Sequence, residues 1–181
     1  MDGQAASCQF SSCLSGICVD PSGGIFVADT RNDRVRLLKG GVVSTVYGNG
    51  KRGSLEGQLN RPYGVCCDKS GQFLFIADFE RIRKMDRSSK VLTTLASFRG
   101  SIPFGICLDS CNNVVVTDKA SPTIRLIKEN GEVIDLAGLV EGNEDGPLSS
   151  AKFKDPRGVC INQLGDIIVI DNGNYRVRSI V

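Results

Sequence analysis

Histidine and tryptophan are absent from these 181 residues, and aromatic residues make up only 6% of them. Without histidine the chain lacks the commonest general base, metal ligand and nucleophile activator. Few aromatics leave little surface on which the bases of a single strand could stack. Charge of one sign is missing too: 22 Lys and Arg against 20 Asp and Glu give a net charge of +2, which marks no polyanion partner. No apolar run approaches the roughly 20 residues of a membrane-spanning helix, and no charged-then-apolar leader precedes the first ordered segment. Gly48-Asn49-Gly50-Lys51-Arg52-Gly53 resembles a phosphate loop only in composition, because it lacks the Gly-Lys-Ser/Thr ending and no helix pattern follows it. A Gly-x-Ser-x-Gly elbow is also missing. The expected chain is therefore non-catalytic, binds no cofactor or metal, and has no membrane partner.

What is present is repetition. Gly16-Ile17-Cys18-Val19-Asp20 recurs as Gly64-Val65-Cys66-Cys67-Asp68, Gly105-Ile106-Cys107-Leu108-Asp109 and Gly158-Val159-Cys160-Ile161-Asn162. Each copy continues into a turn and a β-branched run that closes on Asp29, Asp78, Asp118 or Asp171. A third run follows, built on Arg34-Val35-Arg36, Arg81-Ile82-Arg83, Thr123-Ile124-Arg125 and Arg176-Val177-Arg178. Fourth runs follow in three copies: 42–46, 91–95 and 132–136. The opening glycines, at 16, 64, 105 and 158, recur every 41 to 53 residues. That period, with no apolar run at helical spacing, specifies one small antiparallel sheet per repeat. Four strands per copy arranged radially make an all-β propeller, because a lone blade cannot bury its two apolar faces.

The blades are expected at about 16–47, 64–98, 105–138 and 158–181, forming one propeller region, with 1–15 as an inter-blade loop. The last copy stops after its third run, so that blade is expected to be incomplete and the sequence to be a piece of a longer propeller, with self-association through the terminal blade. Two long connections share a pattern: Asp145-Gly146, Ala151-Lys152-Phe153 and Pro156-Arg157-Gly158 are echoed loosely by Asp2-Gly3, Ala6 and Phe10 before Gly16.

Gly-[Ile/Val]-x-x-Asp, a turn glycine, an apolar run ending in Ala-Asp and then Asn-x-Arg-Val resembles the NHL repeat. Copy one carries it most fully, from Gly16 to Leu38, and copy four from Gly158 to Ile180. Copy two is shortened, with only Phe79-Glu80 between Asp78 and Arg81, and copy three has Thr123 in an arginine slot and Cys111-Asn112 at the turn glycine. The resemblance implies a β-propeller, usually six-bladed, that serves as a scaffold for proteins or RNA. The long loops resemble those of multidomain NHL proteins.

Four columns of residues require a role. Asp29, Asp78, Asp118 and Asp171 are expected to bond turn amides or pair with the arginines that follow. Asp118 keeps its place although Thr123 has replaced the first arginine, which favours turn bonding. Asp20, Asp68, Asp109 and Asn162 close the first strand; as oxygen ligands they would suit a hard cation, but a turn role competes strongly. Cys18, Cys66, Cys107 and Cys160 occupy one slot on four separate sheets and are expected to pack as small buried hydrophobes rather than to converge on zinc. Reduced thiols fit a cytoplasmic location. Arg36, Arg83, Arg125 and Arg178 are a candidate basic band for RNA, against the alternative of pairing with neighbouring acids over apolar surface. The unequal loops are the other candidate surface. Lys51, Arg52, Arg61 and Tyr63 make one basic and Glu141, Glu144 and Asp145 make the other acidic, a mixture suited to a protein partner. The leading expectation is a protein-binding scaffold, the alternative an RNA-binding domain using the arginine face, and a propeller hydrolase or lyase comes third.

Overall fold

The computed structural model describes residues 1–180. The opening run of each copy becomes a first strand: β2 (Ile17–Val19), β6 (Gly64–Cys67), β10 (Pro103–Leu108) and β14 (Pro156–Ile161). The runs ending in Asp become β3 (Ile25–Asp29), β7 (Phe73–Asp78), β11 (Val114–Asp118) and β15 (Ile167–Asp171). The arginine-bearing runs become β4 (Arg34–Lys39), β8 (Arg81–Asp86), β12 (Ile124–Ile127) and β16 (Arg176–Ile180). Fourth strands are β5 (Val42–Tyr47), β9 (Leu92–Ser97) and β13 (Val133–Ala137). The sheets run β2-β3-β4-β5, β6-β7-β8-β9, β10-β11-β12-β13 and β14-β15-β16, each in sequence order. This is a propeller arrangement of antiparallel blades. Residues 1–15, expected as loop, also contain β1 (Gly3–Gln4), which pairs with β5 at Gly3–Val43 and Gln4–Val42 and makes the first blade five-stranded. Those residues find free backbone groups on the outer edge of β5, which is why they do not stay irregular.

The chain divides into two compact units, the first comprising Met1–Phe79 with Arg83–Thr93 and the second Glu80–Ile82 with Thr94 onward. Each has its own core. In the first, Phe26, Val35, Leu59, Leu74, Ile76 and Met85 pack between two blades. In the second, Val115, Ile124, Ala137, Phe153 and Val169 do the same. Strands β3, β7 and β11 are apolar on both faces because both are covered, so their runs are continuous rather than alternating, whereas Ile170 of β15 is 49% exposed. Burying a side chain such as Phe26 contributes about 1.5–3 kcal/mol.

In copies one and three the glycine that opens the copy has a steric reason. A Cβ on Gly16 would lie 2.7 Å from the Tyr63 carbonyl oxygen and 2.8 Å from Gly64 Cα, and one on Gly105 would overlap the Arg157 carbonyl. First strands of adjacent blades within a unit approach through these positions, backbone against backbone. The first-strand turns close differently from copy to copy. Gly23 takes a φ of +82°, whereas Asn112 adopts +64° in copy three, a left-handed conformation that asparagine tolerates.

Replacing Gly105 with alanine is expected to destabilise the second unit by about 2 kcal/mol or more, because the obstacle is backbone and cannot rotate away. Chemical denaturation monitored by circular dichroism measures it, and an unchanged midpoint contradicts the close-approach account.

Candidate functional site

The arginine column is interior. Arg36 is fully buried, Arg83 and Arg178 nearly so, and the Arg125 side chain is 13% exposed. This corrects the expectation of a basic band: guanidiniums enclosed by protein are not presented to phosphates. Their partners are the aspartates that close the second strands. Arg36 meets Asp29 at 3.1 Å, Arg125 meets Asp118 at 2.6 Å and Arg178 meets Asp171 at 3.2 Å. Arg83 and Asp78 stand further apart, at 3.6 Å, in the copy whose turn is shortened. The persistence of Asp118 is thus explained by Arg125, the second arginine of the run, and not by the position that Thr123 fills. The other carboxylate oxygen accepts a backbone N–H from the segment leading into the blade rather than from the turn that follows: Ser11 for Asp29, Asn60 for Asp78, Ile102 for Asp118 and Lys154 for Asp171. At Asp118 the same oxygen also takes the turn amides of Ala120 and Ser121, at 3.0 and 3.3 Å.

The same arginines capture the long loops. Arg36 donates to the carbonyls of Met1 at 2.8 Å and Gln9 at 3.1 Å, pairs with Asp2 at 2.7 Å, and lies 5.0 Å over Phe10. Arg178 donates to the carbonyls of Glu144 and Lys152, pairs with Asp145 at 2.6 Å, and lies 4.3 Å over Phe153. The Asp-Gly…Phe pattern of the loops is therefore a binding site for an internal guanidinium. Arg125 has Asp135 at 2.8 Å and Phe98 at 5.0 Å, as the loop before its blade is short.

The Asp20 column makes turns. Asp109 accepts the N–H groups of Cys111 and Asn113, each at 2.8 Å, and Asn162 accepts those of Leu164 and Asp166, each at 2.9 Å. Asp20 binds Ser22 and Asp68 binds Phe73 in the same manner. Among the described residues no group of three His, Cys, Asp or Glu is placed to hold a metal. All eight cysteines are free thiols. Cys66 is buried, Cys18 and Cys107 are half-buried, and Cys160 is exposed. The expectation of four equivalent buried slots is corrected at Cys160, whose face no further strand covers among the described residues of the second unit. Burial pushes the Cys107 thiol up to about 12 and raises that of Cys18 also, leaving both protonated and unreactive.

A different set of arginines is free of the scaffold. In the first unit, Arg31, Arg52, Arg61, Tyr63, Thr30 and Cys13 line a cavity of about 520 Å³. Three of the four residues expected on the basic loop meet there; Lys51 lies beside Arg52, exposed but outside the lining. Arg31, Thr30 and Cys13 complete the site from segments that read in the sequence only as turn and loop. Thr30, buried, fixes the geometry by donating its hydroxyl to the Pro62 carbonyl at 2.8 Å. Asp33, at the end of the same 3-10 turn (Thr30–Asn32), accepts the Arg61 N–H at 2.7 Å and faces Arg52 Nε at 3.4 Å. The Arg31 guanidinium donates to Ser12 Oγ at 2.9 Å. Arg31, Arg52 and Arg61 are exposed, so their remaining N–H donors face solvent. The site presents cations and hydroxyls.

The NHL repeat family model matches residues 12–36 and 153–178, the first and last copies. The chain is 26% identical over 183 residues to NHL repeat-containing protein 2 of Homo sapiens, a match that covers 91% of this chain and 20% of that protein. An auxiliary nutrient binding protein from Bacteroides ovatus has a similar fold, with TM-score 0.72, 17% identity, and coverage of 96% of this chain and 49% of that one. A catalytically inactive virginiamycin B lyase from Staphylococcus aureus, crystallised with quinupristin, is similar at TM-score 0.68 and 12% identity, covering 93% and 52%. The chain thus spans a fifth of that curated relative's length and about half of each of these solved structures.

Asp29 and Asp118 make stability depend on pH. Burial pushes the Asp29 carboxyl up, but hydrogen bonds from Ser11, Asn32 and Arg36 outweigh it and hold the group below the usual carboxylate range. Burial likewise opposes bonds from Ser101, Arg125 and Ile102 at Asp118, with the same net direction. With folded values below the unfolded value of about 3.9, this stabilisation is present in full above that pH and is lost as pH falls through the folded values. Asp29→Ala is expected to cost roughly 3 kcal/mol at neutral pH, by stranding Arg36. In urea titrations its deficit against the parent chain narrows between pH 5 and pH 3; a gap that stays constant contradicts the assignment.

Proposed function

Because the chain belongs to the NHL-repeat β-propeller family, we propose that it is a non-catalytic scaffold that binds a protein partner through the loop cavity of its first unit. The observation that carries this reading is the division of labour among arginines. The second arginine of each third run (Arg36, Arg83, Arg125, Arg178) is consumed inside its blade, whereas Arg31, Arg52 and Arg61 occur once, at loops, and face solvent. Recognition on loops held by a rigid sheet is the usual arrangement, and the near-balanced total charge favours a local complementary contact over long-range attraction to a polyanion. Similar folds include a binding protein and a lyase, so fold alone does not choose between binding and chemistry. What supports binding here is the lining: three guanidiniums, two hydroxyls and a thiol, in a chain without histidine. The buried state of Arg36, Arg83 and Arg178 counts against the RNA reading that used them. Residence in the cytoplasm, as part of a larger multidomain protein, belongs to the same proposal and draws support from the eight free thiols.

Quantitative affinity capture with the full chain tests the reading. The triple variant R31E/R52E/R61E is expected to lose at least one saturable protein partner by roughly tenfold or more, as for the charged centre of an interface. Lys128→Glu, on an exposed pair with Glu132, retains it. Partners unchanged by the triple variant overturn the proposal, and partners lost on nuclease treatment favour RNA instead.

A further inference from the structure

The charge around the cavity narrows what the partner brings to it, and this inference rests on the protein-binding reading above. Three guanidiniums line the cavity and one carboxylate, that of Asp33, stands against them. Asp33 is 4% exposed and already engaged by the Arg61 N–H and Arg52 Nε. The local balance is therefore close to +2, on side chains that converge from two segments: the β3–β4 turn, which carries Arg31, and the β5–β6 loop, which carries Arg52 and Arg61 near its two ends. The Arg61 guanidinium meets no carboxylate among the described residues, and Arg31 is held only by a serine hydroxyl. A chain building a structural ion-pair network would supply more acids. The second unit does so in the matching slot. Asp155 occupies the position of Arg61, one residue before proline and with the same left-handed backbone (φ 47° against 51°), and it pairs with Arg157 at 2.9 Å. The cationic cavity is thus particular to the first unit and not a consequence of the repeat.

The geometry points to a site for a phosphomonoester carried on a protein partner. Such a group holds about −1.5 to −2 charge at neutral pH and three acceptor oxygens, which matches the excess of about +2. Guanidiniums supply forked donors suited to phosphate oxygens. A volume of about 520 Å³ exceeds the needs of the phosphoryl group and leaves room for the side chain that bears it, against Tyr63. The αL conformation of Arg61 and the Thr30–Pro62 hydrogen bond hold this wall before any ligand arrives, so little ordering cost falls on binding.

Calorimetric titration of the full chain with three probes tests this: inorganic phosphate, a short phosphoserine peptide, and the same peptide unphosphorylated. The phosphopeptide is expected to bind at least about tenfold more tightly than its unphosphorylated form, with competition by inorganic phosphate. Affinity should fall below about pH 6, as the ester loses its second charge. Arg61→Ala and Arg31→Ala, both at exposed positions and checked for an unchanged melting temperature, each lose most of the difference, whereas Lys128→Glu leaves it intact. Equal binding of the two peptides, or of neither, overturns the assignment. So does an unrelated single-stranded oligonucleotide that binds as tightly as the phosphopeptide, since that would reveal unspecific charge attraction. If partner capture persists while the phosphopeptide fails, the scaffold stands and the ligand assignment falls. If the phosphopeptide binds and no partner is captured, the phosphate site stands and the scaffold falls.

Discussion

A buried guanidinium with a carboxylate on one side and a loop on the other is the interaction on which the rest of the structure depends. In the first and last copies, Arg36 and Arg178 each join the aspartate closing a second strand, an aspartate of the preceding long loop, two loop carbonyls and an aromatic ring. A charge so enclosed is tolerable only when its donors are met, so loop and blade must be in place together. The loops are thereby made part of the scaffold. Their free side chains can then be held in fixed positions, as rigid recognition requires.

The cavity of the first unit follows from that fixation. Residues 1–15 are drawn in by Arg36 and Asp29, bringing Cys13 and Ser12 beside Arg31. Leu59, fully buried, anchors the other loop and carries Arg52 and Arg61 with it. Backbone contact at Gly16 sets the Tyr63–Gly64 segment against the first strand of the neighbouring blade. An electropositive cavity thus sits on parts of the chain whose backbones are determined by packing.

The blades could be read from the sequence because each strand is marked by its own recurrent residues and bounded by turn chemistry that acts locally. The roles of the arginines could not. Arg36 binds carbonyls 27 and 35 residues away and Arg178 carbonyls 26 and 34 away; at such separation a repeat shows that a residue matters without showing what it touches. The Asp-Gly…Phe pattern and the arginine column were both visible, but the bond between them is tertiary. At the cavity, the basic loop with Arg52, Arg61 and Tyr63 stood out by composition. Arg31 did not, since Arg31-Asn32-Asp33 is also ordinary turn sequence. The deviation at β1 has a similar origin, as two residues of a loop paired with an edge that sequence pattern alone leaves open.

The central claim is that the enclosed second arginine of each third run serves the fold, while the unrepeated Arg31, Arg52 and Arg61 face the partner. Time-resolved modification of the native chain with phenylglyoxal, read residue by residue by mass spectrometry, tests it most directly. Arg31, Arg52 and Arg61 are expected to react rapidly, while Arg36, Arg83 and Arg178 stay protected until the chain is unfolded. Modification of Arg36 as fast as that of Arg61 in the folded chain would contradict the account.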